Sequence, residues 1–344
     1  MIRVKFFTKE NTLYYRRQLP DVTPCWGECE FVFDPEAQDY DWVFVYDDLP
    51  SIHTAKNISR KEPLYCAKQH TILLTGEPSN IKLYGRAFVG QFGQILTSQE
   101  PWALRHPQRV YSQPAMRWFY GAGRETAVSY DALKAEELPP KTKQIATVCS
   151  TKKQKHTLHY QRFHFVEQLK KRLPELEVYG HGVREMKDKA ESLRDYRYHV
   201  AIENHFAPHH FTEKLSDAFL GFTLPFYFGC PNAADYFPAD SFIPIDINDV
   251  EGAYRIIHTA MENNEHEKRM PAIIEARRRV LEDYNLFAVL NQIITQHHDK
   301  TLSREHFILY SRRAARKLHP LKGALDLLEK TYIQLRNRFR NLTR

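Results

Sequence analysis

The chain has 344 residues, 42% of them hydrophobic, 13% aromatic and 26% charged, with only 13 Gly and 19 Pro. That length points to two domains rather than one, and the composition excludes a collagen-like, low-complexity or broadly disordered chain. The net charge of +7 is unevenly placed: after residue 298 there are twelve Lys or Arg against four Asp or Glu, a net of +8 that leaves −1 for the rest. A neutral body with a basic C-terminal segment argues for a local anionic partner and against a nucleic-acid-binding fold. Five Cys, at 25, 29, 66, 149 and 230, are too few and odd in number for a disulfide framework, so free thiols in a reducing compartment are expected. No signal peptide is expected, because charges at 3, 5, 9 and 10 precede no apolar run of the required length. The longest uncharged stretch, Ala218–Ala234, is broken by Gly221, Pro225, Gly229 and Pro231, and no transmembrane helix is expected there.

Short apolar, β-rich runs at Ile2–Phe7, Glu30–Phe33, Trp42–Tyr46, Thr71–Thr75 and Arg86–Val89 predict strands. The charged, Pro-paired segment around Pro139–Pro140 predicts a domain boundary, with a first domain over 1–138 and a second over 143–298. The second part alternates: strand Gln144–Cys149, helix Tyr160–Arg172, strands Leu176–Tyr179 and Tyr198–Ile202, helix Thr212–Leu220, strands Leu224–Phe228 and Phe242–Ile245, and helix Val250–Glu262. Further helix is expected over Glu265–Gln296. Strands separated by helices predict an α/β fold of two Rossmann-like halves, with a ligand at the carboxyl ends of the strands between the domains. Residues 299–344 are expected to form a separate basic helical tail. In it Leu321, Leu325, Leu328, Tyr332, Leu335, Phe339 and Leu342 recur at steps of four and three, with Lys322, Lys330, Arg336, Arg338 and Arg340 elsewhere around the helix. Such a seam packs on protein, including a second copy, or lies on an anionic membrane surface.

The densest chemical signal is the segment 198–246. A buried strand ends in Glu203 and Asn204, and Thr212 then stands as the N-cap of a helix opening with Glu213 and Lys214. Free N–H groups at a helix start, together with a Lys, suit a diphosphate. A solvated Glu–Lys pair in a first helical turn is the plain alternative. The order of blocks is Ile202-Glu203-Asn204, Thr212-Glu213-Lys214-Leu215-Ser216-Asp217-Ala218-Phe219, Leu224-Pro225-Phe226-Tyr227-Phe228-Gly229 and Ser241-Phe242-Ile243. This order resembles the donor-binding signature of the α1,3/4-fucosyltransferases, glycosyltransferase family 10. Tyr160-Gln161-Arg162-Phe163, Val178-Tyr179-Gly180-His181-Gly182 and Leu73-Leu74-Thr75-Gly76-Glu77 resemble further family segments, the last as in bacterial members.

The resemblance implies a GT-B arrangement, two Rossmann-like domains facing a cleft, and metal-independent, inverting transfer of L-fucose from GDP-fucose to a sugar hydroxyl with no cofactor. Glu77 is then the implied general base, Arg162 and Lys214 hold the diphosphate, Glu213 binds fucose or faces the positive ring, and Asn204 orders the nucleotide side. Tyr179, Gly180, His210, Thr212 and Asp217 complete the implied donor site. His210 stands where the family often has Tyr, and Pro78 where it commonly has Asn or Ser. The implied acceptor is a glycan, lipid-linked or part of a lipopolysaccharide or other surface polysaccharide, reached at the cytoplasmic face of a bacterial inner membrane. Another nucleotide-sugar donor, or a glycan- or nucleotide-binding protein without catalysis, would fit the same blocks.

Other clusters read more plainly. His199, His205, His209 and His210 lie close in sequence, but Pro208 breaks the helix that i, i+4 metal ligation would need, so histidines that line a ligand loop or titrate freely are expected. Cys25 and Cys29 have no second ligand pair, and Asp47-Asp48 reads as a solvated turn after a strand.

Overall fold

The computed structural model describes residues 1–50, 60–123, 127–152, 154 and 157–342. It divides into two compact units, one of residues 1–114 with 286–336 and one of 115–285 with the chain end from Asn337.

In the first unit the strands are β1 (Ile2–Thr8), β2 (Cys25–Trp26), β3 (Cys29–Val32), β4 (Trp42–Tyr46), β5 (Lys61–Leu64), β6 (Thr71–Thr75), β7 (Gln94–Thr97) and β8 (Arg109–Tyr111). The short helices α1 (Leu13–Arg16) and α2 (Arg86–Val89) lie among them. Seven strands form one sheet in the order β2-β3-β1-β4-β6-β7-β8, parallel except for β2. Every residue of WVFVY in β4 and TILLT in β6 is buried, the mark of strands covered on both faces.

The second unit holds α3 (Tyr130–Ala135), β9 (Lys143–Val148), α4 (His159–Arg172), β10 (Glu177–Tyr179), β11 (Tyr196–Ile202), α5 (Glu213–Leu220), β12 (Leu224–Phe228), β13 (Ile243–Pro244), α6 (Val250–Glu262), α7 (Glu265–Lys268) and α8 (Met270–Glu282). Its sheet is all parallel, in the order β10-β9-β11-β12-β13. Strand order reverses between β9 and β11. In such doubly wound sheets the crevice at the carboxyl ends of the two strands flanking the reversal is where ligands bind. Both units are thus Rossmann-like α/β units.

Three expectations need correction. Arg86–Val89 is helix α2 rather than a strand: Gly85 enters it at φ +87° and the Arg86 N–H is received by the Asp326 carboxylate at 3.2 Å. A four-residue apolar run cannot by itself distinguish the two states, and the strand lies eight residues on, at β7. The boundary expected at Pro139–Pro140 falls inside the second unit, which begins at Ala115.

The third correction concerns residues 299–344, which are no separate tail. After α9 (Leu286–His297) the chain forms β14 (Phe307–Tyr310), α10 (Arg312–Leu318) and α11 (Pro320–Leu342). β14 pairs antiparallel with β5, Phe307 opposite Leu64 and Tyr310 opposite Lys61. Leu309 and Ala315 sit in the same buried cluster as Val43, Leu73, Phe88 and Ile95.

Helix α11 presents its faces in the reverse of the usual sense. Asp326 and Ile333 are buried, while Leu321 is 83% exposed, Leu328 70% and Phe339 66%, and Leu325, Tyr332 and Leu335 are also exposed. The side chains of Arg340 and Leu342 lie outside the described residues. No described helix is long and apolar enough to cross a membrane, and all five cysteines carry free thiols.

Because Leu309 is fully buried in the first unit's core, Leu309→Ala is expected to destabilise the chain by about 2–5 kcal/mol through lost burial and the cavity left behind. Urea unfolding of the full-length variant measures this. Wild-type stability would show that β14 is not part of the core.

Candidate functional site

The site begins with a buried carboxylate. Glu203, at the carboxyl end of β11, is fully enclosed, and its two oxygens accept from Thr212, Oε1 from the backbone N–H at 2.8 Å and Oε2 from the hydroxyl at 2.7 Å. The nine-residue spacing between Glu203 and Thr212 is therefore the length of a loop closed on itself. Thr212 also accepts from the Lys214 N–H at 3.3 Å, capping α5. Gly229, just past the end of β12, leaves room for Glu203, since a Cβ there would come within 2.3 Å of its Cγ.

Lys214 is held in the same cluster. Its Nζ donates to the Glu213 carboxylate at 2.8 Å and to Thr212 Oγ1 at 3.2 Å, and stands 3.6 Å from Glu203. Burial pushes the Glu213 carboxyl up, but Lys214 and Lys189 beside it outweigh that and hold it at about 2. Burial raises the Glu203 carboxyl despite Lys214. The Lys214 ammonium, between two carboxylates, is held above its ordinary range in spite of its own burial.

Arg162, on α4, is buried, and its Nη1 donates to Asn204 Oδ1 at 2.7 Å and to the Ile202 carbonyl at 3.4 Å. Its Nε has no hydrogen-bond acceptor among the described residues. The Leu158 N–H donates to the Asn204 carbonyl at 3.1 Å, so the starts of α4 and of the loop after β11 are fixed together.

These groups line a pocket of about 370 Å³ at the carboxyl ends of β9 and β11, where the strand order reverses. Val148, Ser150, Ile202 and Asn204 form its strand-end wall and Gly180 one rim. Gly180 has φ +132°, and a Cβ there would come within 2.6 Å of the Cys149 carbonyl, which ties this turn closely to β9. The lining cations are Lys152, Arg162, Lys189 and Lys214, against Glu213 as the lining carboxylate. His199 lines it as a neutral ring, burial and Lys189 having pushed its imidazole down to about 3. An excess of fixed positive charge at a helix start and a topological switch point suits an anion, a phosphate or diphosphate in particular.

The residues singled out in the sequence separate into three groups. Arg162, Gly180, Asn204, Glu213 and Lys214 line the pocket, with Thr212 behind them as the cap. Tyr179, His210 and Asp217, also implied for the donor site, do not line this pocket. The Tyr179 hydroxyl meets that of Tyr196 at 2.8 Å in the core, and the buried His210 ring lies 5.7 Å from that of His205. Asp217 is fully buried, binding Lys189 at 2.8 Å and accepting the Phe119 N–H at 3.1 Å. Its effect on the pocket is indirect, through the position of Lys189. Glu77 belongs to the first unit, exposed at the end of β6 between the buried Gly76 and Pro78.

Sequence reasoning missed Lys189, Lys152 and Phe119. Lys189 lies inside a capping box of Asp188 and Glu191, a local signal for a helix start but not for a ligand. Nothing around Lys152 or Phe119 marks them in sequence.

Residues 138–268 match the profile of glycosyltransferase family 10 (fucosyltransferase), C-terminal part. Over 60 residues the chain is 35% identical to the alpha-(1,3)-fucosyltransferase FucT of Helicobacter pylori, a stretch covering 17% of this chain and 13% of the length of that relative. Among solved structures, an alpha1,3-fucosyltransferase with GDP-fucose aligns over 88% of this chain and 92% of its own, at 14% identity and a TM-score of 0.46. A second alpha1,3-fucosyltransferase structure aligns over 78% of this chain and 80% of its own, at 15% identity and a TM-score of 0.48. The matched residues 138–268 lie wholly within the second unit and include Arg162, Asn204, Thr212 and Lys214. Over residues 138–268, then, the second unit is similar to the C-terminal part of glycosyltransferase family 10, and the chain spans about an eighth of the length of the curated relative it matches.

Proposed function

We propose that the protein is an inverting fucosyltransferase that moves L-fucose from GDP-fucose to a hydroxyl of a glycan acceptor, in a bacterial lipopolysaccharide or another surface polysaccharide. The observation that carries this reading is the cationic pocket at the β9/β11 switch point, set in the unit whose residues 138–268 match family 10. In the reaction the acceptor oxygen bonds to the anomeric carbon as that carbon's bond to the diphosphate oxygen breaks. The acceptor proton passes to a base, and GDP leaves as an anion. Arg162 and Lys214 are the groups we assign to the departing diphosphate, Arg by a forked hold and Lys by a point charge. Glu213, held ionised beside Lys214, is suited to facing the positive sugar ring. Glu77 is assigned as the base. No metal or cofactor is assigned a role.

On this reading GDP and GDP-fucose raise the Tm of the full chain more than UDP-sugars do, by the free energy of preferential binding, about 2.7 kcal/mol at a hundred times Kd. Arg162→Ala and Lys214→Ala each lower turnover by about 10² or more. Thermal-shift measurement on a nucleotide panel, followed by kinetics of the two variants, tests this. Stabilisation by UDP-sugars alone, or normal turnover in both variants, would remove the assignment.

Glu77→Gln keeps the shape of the side chain and removes its basicity. Acceptor-dependent transfer is expected to fall by roughly 10²–10⁴ while GDP-fucose affinity stays as in the parent chain. Equal losses of affinity and rate would instead give Glu77 a structural role.

We further propose that α11 rests on an anionic membrane surface at the inner face of the cytoplasmic membrane. The support is the outward row of Leu321, Leu325, Leu328, Tyr332, Leu335 and Phe339, on a helix that also exposes Lys322, Lys330, Arg336 and Arg338. Vesicles containing phosphatidylglycerol are expected to co-sediment with the full-length chain, less so as salt rises toward 0.5 M. A concentration-dependent dimer with no vesicle binding would assign the row to a second copy of the chain.

A further inference from the structure

Asp47, which reads in sequence as part of a solvated turn, has a defined set of partners in the first unit. It follows β4 in the left-handed region at φ +69°, a conformation Asp tolerates better than most residues. Its N–H donates to the Leu74 carbonyl of β6 at 2.9 Å. Its carboxylate accepts from the Lys82 ammonium and from the Tyr84 hydroxyl.

These bonds fix the direction of the next one. The Tyr84 ring is buried, and its hydroxyl, having given its single proton to Asp47, can only accept. What it accepts is the backbone N–H of Glu77, at 3.2 Å. On the other side of the same residue, the Glu77 carbonyl accepts from Nε2 of Gln99 at 2.7 Å. The second Nε2 hydrogen of Gln99 goes to the Lys82 carbonyl at 2.9 Å. Gln99 is itself buried, and its own N–H is anchored on Thr97 Oγ1 at 3.0 Å. Both peptide groups of Glu77 are thus gripped by buried side chains from two different segments, while the Glu77 side chain stands exposed.

An exposed carboxylate on an ordinary loop samples many positions, whereas proton abstraction needs it within hydrogen-bond reach of one hydroxyl. Fixing the backbone on both sides of the residue removes the larger part of that freedom. We propose that Tyr84 and Gln99 are positioning residues for Glu77, with Asp47 and Lys82 setting the direction of the Tyr84 hydroxyl. The inference rests on Glu77 being the base.

The test uses the full-length chain with Tyr84→Phe and Gln99→Met, singly and together, each made also in a Glu77→Gln background. Each single substitution is expected to lower kcat about ten-fold and the pair about a hundred-fold, as misplacement of a reacting group does. GDP-fucose affinity stays within two-fold, and the same substitutions cost nothing further in the Glu77→Gln background, because residues acting as a unit are not additive. Normal kcat in both single variants overturns the inference, as does an equal loss in the two backgrounds, which marks general damage. If Tyr84→Phe proves unfolded by circular dichroism, Gln99→Met alone decides. Undiminished transfer by Glu77→Gln would overturn the base assignment and this inference with it. That result differs from the previous two, in which Glu77→Gln is itself slow.

Discussion

A carboxylate removed from water must be bonded on every side or neutralised, and Glu203 meets that condition in a way that organises the second unit. Its oxygens reach the Thr212 N–H and hydroxyl, which close the loop after β11 and start α5 at a defined place. The ammonium of Lys214 lies 3.6 Å from it, so charge compensation for a buried acid and charge presented to the pocket come from one side chain. Replacing Glu203 with an apolar residue would take the acceptor from the Thr212 N–H and hydroxyl and leave Lys214 with Glu213 as its neighbouring carboxylate. The position of the cationic pocket therefore depends on a residue that does not line it.

The same economy recurs one helix turn later. Asp217 is as deeply buried as Glu203 and is compensated by Lys189 at 2.8 Å, which again lines the pocket. Two buried acids thus hold two of the pocket's cations from behind. The attraction of the site for an anion is built into the folded unit and does not rely on flexible surface lysines, whose pairs are worth little.

How much of this was legible differs by distance along the chain. The strand–loop–helix from Tyr198 to Leu220 could be read because its signals are local: a continuous apolar strand, an acid at its end, and Thr-Glu-Lys at a helix start. The spacing of Glu203 and Thr212 was visible, but its cause, a bidentate bond across the loop, was not. Lys189 comes from a segment whose only local pattern is a capping box, and it joins the pocket through Asp217, 28 positions on in the sequence. Asp217 itself looked like a ligand because an acid in a conspicuous block has the same letters whether it faces the pocket or the core. The four-residue run Arg86–Val89 failed for a related reason, since what makes it helical is an Asp 240 residues away.

The return of the chain into the first unit bears on how that unit can be made. The seven-stranded sheet is complete by Tyr111, yet β5 has its pairing partner only in β14, and the core beside β4 and β6 is filled by Leu309 and Ala315. All of the second unit's strands and helices to Glu282 lie between those segments in sequence. During synthesis, the second unit has every residue of its sheet and its pocket before the first has its last core side chain. In the order of assembly, the sheet and pocket of the second unit are therefore complete while the half that carries Glu77 still lacks residues 286–336.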